Sequence, residues 1–184
     1  MTSASASAHR PFDPRLVRLH RARAARAGDG AHFLAQRAAD DVCERLAGVN
    51  RSFARTLVLG GGAAFRAALA ATPDAAAKVG DVIAMDWVPT WADGGIVADP
   101  EHLPIVEGEF DLVVSLLALH WVNDLPGALV QVRRALRPDG LFVGAMFGGA
   151  TLTELRAALL DAELAQTGGA SARIAPFADA RDLG

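Results

Sequence analysis

Cysteine is almost absent: Cys43 is the only one in 184 residues. An intrachain disulfide is therefore excluded, a cysteine-based zinc site lacks ligands, and a reducing compartment fits. Lysine is equally scarce, Lys78 being the only one, and the net charge is −3. Nucleic-acid binding usually needs a strongly basic face, so no nucleic-acid partner is expected. No apolar run reaches the roughly 18–20 residues of a membrane-spanning helix. There is no Gly-x-x-x-x-Gly-Lys-Ser/Thr phosphate loop, which argues against a P-loop nucleotidase. There is also no His-x-Asp/Glu pair of the kind that starts a non-haem iron site; His9, His20, His32 and His102 are scattered, and no metal site is expected. No internal repeat and no interdomain linker interrupt the chain.

What is present is a globular composition. Hydrophobic residues make up 52% of the chain, and the length is enough for one domain with a proper core. Abundant alanine, with arginine replacing lysine, is the usage of a GC-rich bacterial genome. The expected location is the bacterial cytoplasm, or the mitochondrial matrix if the chain is eukaryotic. Residues 1–27 hold Arg10, Arg15, Arg18, Arg21, Arg23 and Arg26 against the single acid Asp13, after a Ser/Ala-rich tip. That is also the composition of a transit peptide. The reading adopted is a disordered tip followed by a basic surface helix. Residues 1–28 are taken as a basic arm with the start of the first helix, and residues 29–184 as the main domain.

Periodicity sets out the elements. After Asp29-Gly30, the series Leu34, Ala38, Val42, Leu46 predicts a helix that Gly48 ends. Thr56–Leu59, Val82–Met85, Gly95–Ala98 and Phe110–Leu117 read as strands, with Phe65–Ala71 helical between the first two. Leu125, Leu129, Val132 and Leu136 mark a helix that Asn123 or Asp124 can cap, and Pro138-Asp139-Gly140 turns the chain. Leu141–Phe147 is a fifth strand. Thr151 and Glu154 form a candidate capping box for a helix with Leu152, Leu155, Leu159 and Ala162 on one face, ended by Gly168-Gly169. No convincing strand lies in Ala170–Gly184. Strands apolar on both faces that alternate with helices indicate an α/β fold: a Rossmann-like, doubly wound, mostly parallel sheet.

In such sheets ligands bind at the carboxyl ends of the strands. Gly60-Gly61-Gly62 follows the first strand and opens a helix, so the backbone there can come close to a ligand; an ordinary tight turn would look the same. Asp86 ends the second strand, 26 residues after Gly60. A carboxylate there can accept both hydroxyls of a ribose, or it can simply be solvated. Asp99, ending the third strand, can accept from an adenine amino group. His120 is the one plausible general base, since imidazole titrates near neutrality; packing at a strand end is the alternative. Trp121 reads as a pocket wall, Asn123 and Asp124 as helix caps, and Asp40, Asp41 and Glu101 as surface charges.

The runs Phe110-Asp-Leu-Val-Val-Ser115, Leu119-His-Trp-Val-Asn-Asp-Leu-Pro126 and Leu136-Arg-Pro-Asp-Gly140 resemble class I S-adenosylmethionine (SAM)-dependent methyltransferases. Gly148-Gly-Ala-Thr-Leu-Thr-Glu-Leu-Arg156, Gly168-Gly169, Pro176-Phe177 and the opening Phe12-Asp-Pro-Arg15 and Arg23-Ala-Ala-Arg26 narrow the likeness. They resemble bacterial relatives of the mitochondrial complex I assembly factor that acts as an arginine hydroxylase. The resemblance implies a SAM-binding sheet of order 3-2-1-4-5-7-6 and a methyl transfer to an unidentified acceptor. It places Gly60 and Gly62 near the methionine part of SAM, Asp86 at the ribose, Asp99 facing the adenine, and His120 and Trp121 toward the substrate. It also implies two alternatives: arginine hydroxylation of a respiratory complex I subunit as part of its assembly, or a catalytically degenerate SAM-fold binding module. Three departures stand out. Val58 replaces the family's strand-one acid, Ala64 replaces the last glycine of the turn, and the chain stops before the family's last two strands. The fifth strand is then expected at an exposed edge, open to self-association.

Overall fold

The computed structural model describes residues 10–27, 30, 32–169, 171, 173–178 and 181. His9, the Ser/Ala-rich tip, Asp29 and the tail 182–184 lie outside the described residues. The chain divides into two compact units, residues 1–146 and 147–184.

The first unit runs α1 (Pro14–Arg26), α2 (Phe33–Gly48), β1 (Phe53–Leu59), α3 (Gly62–Ala71), the single turn α4 (Pro73–Ala76), β2 (Val79–Asp86), the single turn α5 (Pro89–Ala92) and β3 (Ile96–Val97). It continues with β4 (Phe110–Leu116), a 3-10 turn (Leu119–Trp121), α6 (Leu125–Ala135) and β5 (Leu136–Ala145). All pairings are parallel, in the order β3-β2-β1-β4-β5. This is the expected Rossmann-like arrangement, with β1 central. Leu59 stands opposite Met85 of β2 and Ser115 of β4, so the three central strands end nearly level.

The alternation of side chains along each strand builds two cores. Leu57 and Leu59 of β1 and Val113 of β4 point to one face, where Val17 of α1 and Ala128 and Val132 of α6 cover them. Val58, Leu112 and Val114 point to the other, under Val42 and Leu46 of α2 and Phe65 and Ala68 of α3. Parallel strands buried on both faces need this apolar continuity. Phe65 is fully buried, and its replacement by alanine would cost about 3–5 kcal/mol.

Local chemistry fixes the helix ends. Asp13 caps α1 by accepting from the Arg15 amide at 2.8 Å, with Pro14 in the first turn. Asp124, not Asn123, caps α6, accepting from the Gly127 amide at 2.8 Å. Four details differ from the sequence reading. In α2 the fully buried stripe is Ala39, Val42, Cys43 and Leu46, while Leu34 is exposed, because a spacing of four drifts around a helix of 3.6 residues per turn. β5 begins at Leu136, so Pro138-Asp139-Gly140 is no separate turn. It is an irregularity within the strand, where the register shifts between Phe110 and Leu112 and Asp139 adopts φ 64°. Glu101 is more than a surface charge: its carboxylate accepts from the Asn123 and Asp124 amides.

The fourth difference lies in the second unit. Its helix, α7 (Thr153–Thr167), starts after Leu152 in the left-handed conformation. The Thr151–Glu154 capping box therefore does not form, since Glu154 falls one position short of the third helical residue the box requires. Leu152 and Leu155 of the expected face are exposed, and α7 has no fully buried residue. Gly168 ends the helix at φ 68°. Within the helix, Glu163 accepts from Ser171 and Arg173 beyond Gly168, which holds its carboxyl down at about 2. Among the described residues no helix is long and apolar enough to cross a membrane.

Candidate functional site

The turn after β1 is built for close approach. Gly60 and Gly61 have φ of 77° and 63°, a region that costs side-chain-bearing residues energy. A Cβ on Gly60 would stand 2.7 Å from the Leu116 carbonyl oxygen, and one on Gly62 would stand 2.5 Å from Ala84 Cβ. Glycine is thus required at Gly60 and Gly62 by the neighbouring strands themselves. Val58, where the resemblance has an acid, is fully buried in the α2/α3 core. Ala64 is half-buried beside it and lines an open cavity of about 400 Å³ with His32, Phe33, Gln36, Ala63 and Trp91.

Asp86 ends β2 next to this turn, and its side chain is 0% exposed. A buried carboxylate needs partners, and it has them. Arg21 of α1 donates from Nε to Oδ1 at 2.9 Å and from Nη2 to Oδ2, while the Val88 amide donates to Oδ1 at 3.2 Å. Burial raises the Asp86 pKa, with Arg21 and the Val88 and Trp87 amides pulling against it. The guanidinium also lies over the rings of Trp87 and Trp91, 5.1 and 5.5 Å from their centroids. Its Nη2 lies 3.7 Å from where a Cβ on Gly60 would be. A single cation therefore covers both the acid and the glycine turn.

The remaining sequence candidates spread along the same strand tips. His120 is 6% exposed in the 3-10 turn after β4; burial first, then Arg21, lowers its pKa to about 4. It is neutral at pH 7. Trp121 packs against it, with ring centroids 5.1 Å apart, and meets Phe12 edge-on at 5.7 Å. Asn123 accepts from the Phe12 amide at 2.9 Å and donates to the Phe12 carbonyl at 3.1 Å. Asp99, half-buried, accepts from the Glu101 amide at 3.0 Å. Ser115 Oγ, at the end of β4, is buried with no hydrogen-bond partner among the described residues. Sequence reasoning missed Arg21, Trp91, Ser115 and the role of Asn123. The one available signal was an arm rich in arginine opposite a strand-tip acid. Among the described residues no group of three His, Cys, Asp or Glu side chains converges on a metal position.

A family model for a methyltransferase domain matches residues 57–144, from the middle of β1 to the end of β5. That stretch of the chain is similar to a methyltransferase domain. Mouse "Arginine-hydroxylase NDUFAF5, mitochondrial" is 61% identical over 89 residues, 48% of this chain and 26% of that protein. The malonyl-[acyl-carrier protein] O-methyltransferase of Halorhodospira halophila is 42% identical over 89 residues, 48% of this chain and 28% of that protein. The matched part is thus about a quarter of each relative. Among solved structures, a SAM-dependent methyltransferase from Thermotoga maritima has the same fold, with a TM-score of 0.53 and 17% identity over 92% of this chain and 74% of that one.

The match to a methyltransferase domain implies SAM as the cofactor, and the residues can be tested against it. The glycine turn and the strand-tip acid have the right chemistry and place. The conformation does not fit: both oxygens of Asp86 are engaged, and Arg21 covers the glycine turn. A ribose cannot reach this carboxylate while α1 stays docked.

Proposed function

We propose that this chain is the cofactor-binding part of a SAM-dependent methyltransferase-like protein that transfers a methyl group to an unidentified acceptor. One observation carries the reading. Gly60, Gly62 and Asp86 stand at the tips of adjacent central strands, inside the span that matches a methyltransferase domain. Open parallel sheets take their ligands there. In this reading Asp86 receives the ribose hydroxyls, Gly60 and Gly62 pass beside the methionine portion, and Asp99 faces the adenine. His120, held neutral by burial, is in the form that accepts a proton.

The test is calorimetric titration of the full chain with SAM beside an Asp86→Ala control. Binding that the control loses supports the reading. A folded chain that takes up no SAM, with Arg21 intact or replaced, removes it.

A second reading, a binding module without turnover, draws on Val58 in place of the strand-one acid and on the occupied Asp86. A lost charge-assisted hydrogen bond weakens SAM by about 1.5–3 kcal/mol. Arginine hydroxylation, named in the mouse relative, and a respiratory complex I subunit as its target form a third. Mass spectrometry of a candidate acceptor separates the three: an added methylene, an added oxygen, or capture with no change.

A further inference from the structure

We propose that α1 is an autoinhibitory strap: Arg21 and the ribose hydroxyls of an incoming adenine nucleoside compete for the carboxylate of Asp86. The inference rests on the cofactor reading above and adds to it a regulatory element of the same site.

The competition follows from valence and space. A vicinal diol offers a carboxylate two donors side by side, which is what Arg21 Nε and Nη2 already supply. Asp86 is fully buried, so no solvated lone pair is left for a second bidentate partner. The guanidinium also lies over Trp87 and Trp91 and against the Gly60 turn, so its departure clears the acid, two indole faces and the glycine backbone in one movement.

α1 is attached in a way that permits release. Of its 13 residues only Val17 is fully buried, so little apolar area holds it. Polar latches at its two ends do most of the fastening. At the start, the Phe12 backbone exchanges two hydrogen bonds with Asn123, and its ring meets Trp121. Farther along, Trp91 Nε1 donates to the Arg21 carbonyl at 3.1 Å, and His32 Nε2 lies 3.2 Å from the Ala24 carbonyl. The strap thus crosses the ends of β4, β1 and β2, pinned on either side of the glycine turn. A ligand that needs the released state binds more weakly by the fraction of molecules in that state.

The experiment uses the full chain, titrated calorimetrically with SAM and with adenosine at pH 8. Wild type is compared with Arg21→Ala, Asn123→Ala and Asp86→Ala, and trypsin cleavage at the α1 arginines is followed with and without SAM. Arg21→Ala is expected to bind both ligands about tenfold more tightly, equivalent to about 1.4 kcal/mol. Asn123→Ala loosens the far latch and leaves the Arg21–Asp86 pair in place, so a smaller gain is expected even if Arg21→Ala folds poorly. SAM is expected to speed cleavage of α1 in the wild-type protein. Equal or weaker SAM binding by both strap variants, or protection of α1 by SAM, overturns the strap while loss of binding in Asp86→Ala keeps the cofactor reading. A gain for SAM but not adenosine moves the competition off the ribose and overturns it too. No binding of SAM by any folded variant removes both proposals together.

Discussion

Breaking the buried pair between Arg21 and Asp86 from one side should be far more damaging than removing it whole. Asp86 is 0% exposed and Arg21 is 15% exposed. Removing one partner of a buried pair leaves an uncompensated charge and costs about 3–5 kcal/mol. The partial exposure of Arg21 sets the expectation at the low end, about 3 kcal/mol for Arg21→Met at pH 8. Asp86→Asn in the same chain removes the stranded charge, and the pair should then couple by about 2 kcal/mol. Urea unfolding followed by tryptophan fluorescence measures each corner of this cycle. The probe is well placed, because the three tryptophans all touch the strap or its leader: Trp87 and Trp91 at Arg21, and Trp121 at Phe12.

The sign of the pH dependence gives an independent check. Without Arg21, burial acts on Asp86 with less opposition, so the folded pKa rises further above the unfolded one. A group with a raised folded pKa contributes stability below its unfolded value and loses it as pH rises through the folded value. The Arg21→Met penalty should therefore be smallest near pH 4 and grow toward neutrality. His120 acts in the same direction, since losing Arg21 removes one of the two causes that lower its pKa. A coupling below about 0.5 kcal/mol, the level of independent sites, or a penalty that does not change with pH, would refute the argument that Arg21 compensates Asp86.

Four further outcomes are expected. The His120 pKa falls from 6.5 to about 4 on folding, so wild-type stability should drop by about 3 kcal/mol as pH falls through that window; His120→Gln should flatten this part of a pH series of urea melts. Gly60→Val puts a branched side chain at φ 77° against the Leu116 carbonyl and should cost about 3 kcal/mol or prevent folding, seen in thermal melts. Val58→Asp restores the acid of the resemblance but buries it in the α2/α3 core; it should lose at least about 3 kcal/mol, and a variant as stable as wild type would show that the core tolerates the acid. Asn123→Ala should speed hydrogen exchange in α1 with little effect on α6, while Asp124→Ala should lose about 1 kcal/mol of cap energy at α6; the reverse pattern would reassign the two residues.

The sheet was legible because its strands are short, apolar and punctuated by glycine and acids. Thr56–Leu59, Val82–Met85 and Phe110–Leu117 each fall on a real strand. The tips of those strands were legible for the same reason: an acid ending an apolar run marks where a buried strand meets polar surroundings, as at Asp86. Errors came where a local signal was outweighed. Pro138-Asp139-Gly140 reads as a turn, yet β5 passes through it, since pairing with β4 resumes at Leu112–Leu141 and tolerates one irregularity. Thr151 and Glu154 have capping-box spacing, but the helix starts one position too late to use it. Which partner Asp86 finds depends on a contact 65 residues away, which no local pattern encodes.

The same long-range contacts change the meaning of the most specific run in the sequence. Within Leu119–Pro126, the resemblance implies that His120 and Trp121 face the substrate, and Asn123 or Asp124 is expected to cap a helix. Asp124 does cap α6, but Phe12 engages Trp121 and also Asn123, the latter 111 residues away. The Phe12-Asp-Pro-Arg15 opening and the Leu119–Pro126 run, two separate family-like motifs in the sequence, are thus two halves of one junction. Asp13, next to Phe12, fixes the first turn of α1 and so sets where Arg21 falls two turns later. A rise of 1.5 Å per residue makes that placement sensitive: one residue inserted between Asp13 and Arg21 rotates the guanidinium by about 100°, away from Asp86. On this argument the spacing from Phe12 to Arg21, more than either residue alone, carries the closed state of the site.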